Sequence, residues 1–368
     1  MSDSTENRRV SFIQGLWIGI VSIIGIVALI AMILCALNPV IDPTTFAWTS
    51  FFGLAFWPIL FTNIFVFIVL LFLRARKALI VPLIAIIIAI PGFMKSYSFI
   101  RHETVEGDLK LMSYNIAKFI DTKDLTRKKA ETINDYIALI NRYSPDIVGL
   151  QESGRWNDEN AQDFASKINM PYYFYCRQKY TGNIVFSKYP LKEVNFAQEL
   201  NKNYPLGFAL QVDVAENISL YIECVHLTSF SITKDEIDYV NDTKNIVEDS
   251  DLYGKSLIKK LKIGFEKRAG DAQIILENLP QDDMPYILFG DFNDTPMSYT
   301  YQQMKSTKLR DSFLDCGRGI GVTYSGRLPL LRIDYMWHNS KIVPMSFERI
   351  DEKLSDHYPI LMSFNIID

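Results

Sequence analysis

The 368-residue chain is predicted to be an α/β protein in which two packed sheets flanked by helices follow a membrane anchor. Three observations lead there. The first hundred residues hold long uncharged apolar runs. The remainder alternates many short strand-like runs with few helical ones. The charge balance also changes at that boundary: residues 1–100 hold six Lys/Arg and three Asp/Glu, net +3, which leaves 32 against 39, net −7, for residues 101–368. With 49% hydrophobic and 22% charged residues, a packed core is possible and a disordered chain is excluded.

No charged residue lies between Val10 and Ile41, and Leu16–Leu37 is long enough to cross a hydrocarbon layer of about 30 Å as a helix. Phe46–Leu73 is a second uncharged run. Ala78–Met94 is shorter, holds Pro82 and Pro91, and sits near the lower limit of about 17 residues for a span. Three transmembrane spans are therefore expected, at 16–37, 46–73 and 78–94. A cleaved signal peptide has one short apolar core, and the helical hairpin of a soluble core rarely runs this long without a charge. Basic residues are retained on the cytoplasmic side. Arg8 and Arg9 precede the first run, Arg74, Arg76 and Lys77 lie between the second and third, and the segment 38–45 carries only Asp42. The amino terminus is expected inside. Three spans would place residues 101–368 outside the cytoplasm, and two would place them inside.

The polar segment 103–108 reads as a linker. After it, Leu109–Tyr114 reads as a strand ending in Asn115, and Arg127–Tyr143 as a helix with Ile133, Ile137 and Ile140 on one face. Pro145 opens a second strand, 146–151, whose unbroken apolar run predicts burial on both faces. Segments 182–187, 207–214, 219–226, 286–289, 333–338 and 360–364 read as further strands. Lys255–Leu279 reads as a long helix with Leu257, Leu261, Phe265 and Ile275 in one row. There is no internal repeat. Cys35, Cys176, Cys224 and Cys316 show no CxxC spacing, so neither a zinc ribbon nor a disulfide framework is implied.

Chemistry is sought where an apolar strand stops at a carboxylate, amide or imidazole, because a rigid strand end can aim such a group into a cleft. Asn115 ends KLMSYN, Glu152 ends DIVGLQE and His226 ends YIECVH. Asp291 and Asn293 lie in ILFGDFND, two residues apart and hence on one side of extended chain. Asp334 lies in RIDYMW, and Asp356 with His357 in SDHYP. Taken singly, Asn115, Asp291 and Asn293 read as turn formers, Glu152 as a helix cap, His226 as a core histidine and Asp334 as a counter-charge to Arg332. Their joint order is what points to a site.

In that order, SYN, LQE, GNIVFSKYP, VHL, GDFNDTP, RIDYM and SDHYP, residues 109–366 resemble the endonuclease/exonuclease/phosphatase family, the DNase I-like superfamily. GDFN followed by SDH is the specific part of the match. The resemblance implies a four-layer α/β/β/α sandwich, with the active site at one edge of its two sheets. It implies hydrolysis of a phosphoester assisted by Mg²⁺, or Mn²⁺ in its place, with Glu152, Asn115 and Asp356 toward the metal. Asp291 would activate water, and Asn293 and Asn115 would bind substrate. His357 would contact the phosphate, oriented by Asp334, and His226 would donate to a phosphate oxygen or to the leaving group.

For the substrate, a lipid headgroup, a nucleic acid or a small phosphodiester each remain. Net −7 argues against a phosphate-backbone partner, although Lys255, Lys259, Lys260, Lys262, Lys267 and Arg268 form a basic stripe that otherwise reads as a solvated helix face. LLRIDYM stands where inositol polyphosphate 5-phosphatases carry a WCDR-type stretch, and GDFNDTP departs from the Asp-Leu-Asn form of abasic-site endonucleases. The alternative functions are an extracytoplasmic nuclease and a catalytically inactive, membrane-anchored binding module. The lipid bilayer is the expected partner of the amino-terminal spans, and no protein partner is implied.

Overall fold

The computed structural model describes residues 2–99, 106–120, 128–175, 182–194, 206–230, 250–280, 284–326 and 330–367. Residues 103–105 of the expected linker, and Cys176, lie outside the described residues. The chain forms two compact units: residues 1–95 with 296–302, and residues 96–295 with 303–368.

The first unit contains helices α1 (Ser2–Leu37), α2 (Trp48–Leu54), α3 (Phe56–Phe72) and α4 (Ile80–Ser96). Among the described residues one helix has the length and composition to cross a membrane, Phe12–Val40, with 29 residues. The count of three spans is therefore corrected. The second run is not one straight helix, because α2 and α3 meet at a 68° bend and make a second span only if the broken pair is taken as one. Ala55 has left helical geometry at the break, and Pro58 has no N–H to bond back to Leu54. The third run gives 17 residues with Pro91 inside, which is too short to qualify. The side of the membrane then turns on the bent pair: one span puts residues 101–368 across the membrane from the amino terminus, and two put them on the same side.

Buried amides organise this unit. Asn63 Nδ2 donates across to Ala28 O at 3.2 Å and to Ile59 O in its own helix at 2.9 Å. Asn38 Nδ2 donates to Met297 O at 2.7 Å, while its Oδ1 accepts from Ser50 Oγ at 3.0 Å.

In the second unit the strands are β1 (Leu109–Asn115), β2 (Ile147–Gln151), β3 (Tyr172–Tyr175), β4 (Ile184–Ser187), β5 (Leu191–Glu193), β6 (Gly207–Ala215), β7 (Ile218–His226), β8 (Tyr286–Asp291), β9 (Arg310–Asp311), β10 (Asp334–His338), β11 (Ile342–Arg349) and β12 (Ile360–Ile366). They form two six-stranded mixed sheets, ordered β11-β12-β1-β2-β4-β3 and β5-β6-β7-β8-β10-β9. Each sheet has one parallel pair near its centre, β1–β2 and β7–β8. Leu109, Leu111 and Ile147 of one sheet pack with Ile222, Cys224, Ile287, Phe289 and Met336 of the other. Gly149 makes room in this layer, since a Cβ there would lie 2.2 Å from the Phe289 ring.

Helices α5 (Lys129–Tyr143) and α6 (Asp158–Lys167) cover the outer face of the first sheet through Tyr136, Leu139, Ile140 and Phe164. The predicted isoleucine row is rotated: Ile133 and Ile137 lie at the edge of the buried face and only Ile140 is fully inside. Helix α7 (Ser250–Glu277) buries Phe265, Arg268, Ala269, Ala272 and Ile275, and its Asp271 accepts from Thr228 N just beyond β7. Helices α8 (Tyr299–Lys305) and α9 (Ser312–Cys316) are short.

Candidate active site

Strand parity builds the site. Residues 220, 222 and 224 of β7 face the inter-sheet core, and the same register carried one step further reaches His226. On β8, Ile287 and Phe289 face inward and Asp291 continues their row; on β1, Leu109 and Leu111 lead to Asn115; on β10, Met336 shares its face with Asp334. His226 is directly paired with Asp291, and Asp291 with Asp334. The layer between the sheets thus changes from hydrocarbon to polar groups at one end.

Asp291, fully buried, is the hub. Its Oδ2 accepts from Asn115 Nδ2 at 2.9 Å and from Asn293 Nδ2 at 3.2 Å, and its Oδ1 accepts from Asn293 N at 2.8 Å. His226 Nε2 and His357 Nε2 each lie 3.7 Å from Asp291 Oδ2. His226 Nε2 is also 3.5 Å from Glu152 Oε1, to which Asn115 Nδ2 donates at 3.3 Å. On the far side, His357 Nδ1 is 2.9 Å from Asp334 Oδ2. The Glu152 side chain is 34% exposed, so it forms the mouth while Asp291 forms the floor.

The backbone contributes as well. Glu152 and Asn293 both hold positive φ, 48° and 52°, where the chain turns immediately after a strand. For non-glycine residues this conformation costs about 1–3 kcal/mol and needs surrounding structure to hold it. Gly290, at φ 139°, lets β8 approach β7 so closely that a Cβ would lie 1.9 Å from Val225 O.

Electrostatics follows from burial. Burial pushes the Asp291 carboxyl above the ordinary range, against the pull of the His357 and His226 imidazoles. Burial also disfavours charge on His357, but the Asp334 and Asp291 carboxylates outweigh it and raise this histidine to about 10. At neutral pH His357 is an imidazolium with one N–H on Asp334 and the other facing the cleft.

The structure brings Asn115, Glu152, His226, Asp291, Asn293, Asp334 and His357 together. Asp356 touches the cluster only through its charge, which adds to the support of His357: its Oδ1 accepts from Ser355 Oγ, and among the described residues no hydrogen bond or ion pair joins it to the others. Three groups belong to the surroundings of the site without having been foreseen. Thr323 Oγ1 accepts from Asp334 N at 3.0 Å, the Tyr324 ring packs edge-on to His357 at 5.3 Å, and the buried pair Arg268–Asp294 spans 3.2 Å beside Asn293. Arg268, read from the sequence as part of a solvated basic face, is instead fully buried, because it pairs with Asp294 behind the strand ends.

The donor set suits a hard cation. Three carboxylates converge on a small cleft, Asp291, Asp334 and His357 offer ligand atoms within 4.8 Å of one another, and buried His226 Nε2 has no hydrogen-bond partner. Because Asp334 and His357 already bond each other, the pair Glu152–Asn115 is the more open oxygen set.

The model of the endonuclease/exonuclease/phosphatase family matches residues 112–357, and the chain belongs to this family, whose members are hydrolases of phosphoric ester bonds. A second model, for a domain of unknown function, matches residues 18–97. No curated protein matches the chain. Among solved structures, the chain is similar to a family member from Bacteroides thetaiotaomicron (14% identity, 72% of this chain and 98% of that one, TM-score 0.49). It is also similar to the human nocturnin catalytic domain with bound sulfate (17%, 72% and 97%, TM-score 0.48). A third is a mannosyl-6-phosphatase from Bacteroides thetaiotaomicron (15%, 70% and 100%, TM-score 0.47).

Proposed function

We propose that this chain is a membrane-anchored, divalent-metal-dependent phosphodiesterase whose active centre is the cluster around Asp291. The observation that supports it most is the meeting of seven strand-end and loop residues, distant in sequence, within hydrogen-bonding or ion-pair range of one another. A phosphodiester resists attack because its oxygens are already negative, so charge must be neutralised and water positioned. Glu152 and Asn115 would hold the cation, Mg²⁺ or Mn²⁺, with Asp356 toward its waters; when bound, it supplies positive charge against the phosphoryl oxygens. Asp291 takes the proton of the attacking water, with its orientation fixed by Asn115 and Asn293. Asn293 also holds a phosphate oxygen. The His357 imidazolium, oriented by Asp334, donates to another, and His226 donates on the side of Glu152.

Helix α1 is the proposed anchor. Its outward side chains are apolar, with Ile23 and Val27 more than half exposed, and a lipid interior is the solvent that suits them. Orientation with residues 101–368 outside the cytoplasm rests on a single crossing by α1 and on Arg8 and Arg9 just before its apolar stretch at Phe12–Val40. The test is hydrolysis of a phosphodiester panel by the full chain in detergent. Turnover should vanish with chelator and return with Mg²⁺; undiminished turnover in chelator, or none with any ester, overturns the reading.

A further inference from the structure

The chain passes between its two units at 95–96, 295–296 and 302–303, so residues 296–302 belong to the helical unit although both their flanks belong to the other. That short segment begins three residues after Asn293. We propose that the substrate of the Asp291 cluster is a phosphodiester lipid lying in the bilayer that α1 crosses. This substrate class rests on the phosphodiesterase reading and on α1 as anchor, and it follows from how little chain separates the reactive centre from the lipid.

The segment is packed into the helices. Met297 is buried, and its carbonyl accepts from Asn38 Nδ2 at 2.7 Å while Asn38 Oδ1 accepts from Ser50 Oγ at 3.0 Å. Two glycines shape the seat: a Cβ at Gly53 would lie 2.1 Å from Asn38 Nδ2, and one at Gly92 would lie 2.6 Å from the Met297 sulfur. Farther along, Gln302 Oε1 accepts from Lys95 Nζ at 2.7 Å. Asn38 also marks a level in the membrane. It stands in the last turn of the apolar stretch Phe12–Val40, and beyond it come Asp42, which accepts from Thr44 N, and Trp48, which is more than half exposed. A polar turn followed by tryptophan suits the boundary between hydrocarbon and headgroups. Met297 thus sits where α1 leaves the hydrocarbon.

From there the chain allows little distance. Asn293, whose N–H donates to Asp291, is four residues from Met297, at most about 14 Å even if fully extended. Asp294 between them is already fixed, its side chain by Arg268 at 3.2 Å and its carbonyl by the Tyr335 hydroxyl at 2.9 Å. Only Thr295 and Pro296 link the two anchorages. The crossing at 95–96 is as short: three residues after Lys95, Ser98 exchanges backbone hydrogen bonds with Gly319 at 2.9 Å and donates from Oγ to Gly317 O at 2.8 Å. Headgroups occupy about 5–8 Å on each side of the hydrocarbon, so the reach of the chain and the depth of the headgroup layer overlap. A lipid phosphate can meet the cluster with its acyl chains still in the bilayer, whereas a dissolved diester gains nothing from this tether. In the reaction water adds to phosphorus and one P–O ester bond breaks. The departing oxygen takes up a proton as an alcohol, and a phosphomonoester remains.

Two measurements on the full chain in lipid nanodiscs test this. In the first, phosphatidylcholine, phosphatidylglycerol, phosphatidylinositol and sphingomyelin in the protein's own disc are each compared, at equal bulk concentration, with a water-soluble diester of the same headgroup and with a DNA oligonucleotide. At least one lipid should turn over about 10²-fold faster than its soluble partner, the scale of gain that local concentration supplies. The second needs no turnover. Of the four histidines, His226 and His357 lie at the site, and His338 lies at the other end of β10 from Asp334, about 13 Å further along the strand. With histidine-labelled protein and a headgroup nitroxide lipid, the His226 and His357 resonances should broaden several-fold more than that of His338. A soluble diester or the oligonucleotide hydrolysed as fast as every lipid overturns the proposal, as does His338 broadened as much as the site histidines. If no ester turns over, the phosphodiesterase reading falls and the lipid assignment falls with it, whatever the broadening.

Discussion

Glu223 and Asp291 are both fully buried carboxyls on the adjacent parallel strands β7 and β8, one in mid-strand and the other at a strand end. Glu223 lies opposite Leu288 and accepts from the Tyr286 hydroxyl, and its second oxygen has no hydrogen-bond partner. Asp291 accepts from two asparagine side chains and a backbone N–H, and two imidazoles flank it. Burial raises both carboxyls. The difference is that only at the strand end do donors, imidazole partners and a half-open mouth coincide, so burial of a carboxyl does not by itself define a site. Strand parity explains the division, because Glu223 points away from the inter-sheet layer while Asp291 sits at the end of it.

Asp291→Asn tests this contrast at its strongest point. Hydrolysis should fall about 10²-fold or more, with the thermal midpoint preserved or raised. Near wild-type turnover would remove the distinction between the two carboxyls.

A large effect on stability is expected at Glu223. Burial raises its carboxyl to about 7 from 4.5, despite the hydrogen bond from Tyr286. The folded state therefore holds a proton that the unfolded chain releases first. Stability is greatest below the unfolded value, declines as pH rises from 4.5 to 7, and is level above that, a total of about 3 kcal/mol. In Glu223→Gln the decline should flatten while kcat is unchanged. Denaturation midpoints at pH 4.5 and pH 8 measure it, and an unaltered slope would refute the assignment.

Asp334→Asn sharpens the other half of the comparison. Without this carboxylate the His357 imidazolium loses its main support, so the alkaline limb of the pH–rate profile should shift downward from about 10. The rate at neutral pH should drop about tenfold, the scale typical of a group that orients another. A lower rate with an unmoved limb would make Asp334 merely structural.

The smallest effect is expected in the first unit. Asn63 is buried as deeply as Glu223 but is neutral; its Nδ2 donates to two carbonyls while its Oδ1 has no hydrogen-bond partner, so Asn63→Ala should cost about 0.6 kcal/mol, the average for interhelical bonds in an apolar surrounding. Unfolding in detergent micelles measures it. A loss as large as that from breaking the Asp291 cluster would mean that buried polar groups matter equally everywhere in the chain.

Much of the second unit was legible from local pattern. Apolar runs ending in Asn115, His226 and Asp291 fall on strands with those ends, because period-two alternation and a terminal polar residue are local properties. Strands β3, β5, β9 and β11 were not legible. Residues 172–175 are aromatic throughout, 191–193 and 310–311 are too short to show a period, and 342–349 holds Pro344 and charged residues suited to its place at the sheet edge. The spans failed for a related reason: apolar composition counts residues but does not show where a helix breaks at Ala55.

Residue types and their order determined the family, the strand ends and the candidate groups, since the chemistry of a carboxylate or imidazole and the parity of a strand are fixed before folding. Which groups meet was decided only by tertiary structure. Asp334 reaches His357, Asn115 reaches Asp291 across 176 residues, and Asp356 turns to Ser355, because contacts between sheets depend on register and strand order. The seat of Met297 was likewise unreadable, since its walls at Asn38 and Gly92 become neighbours only when the helices pack.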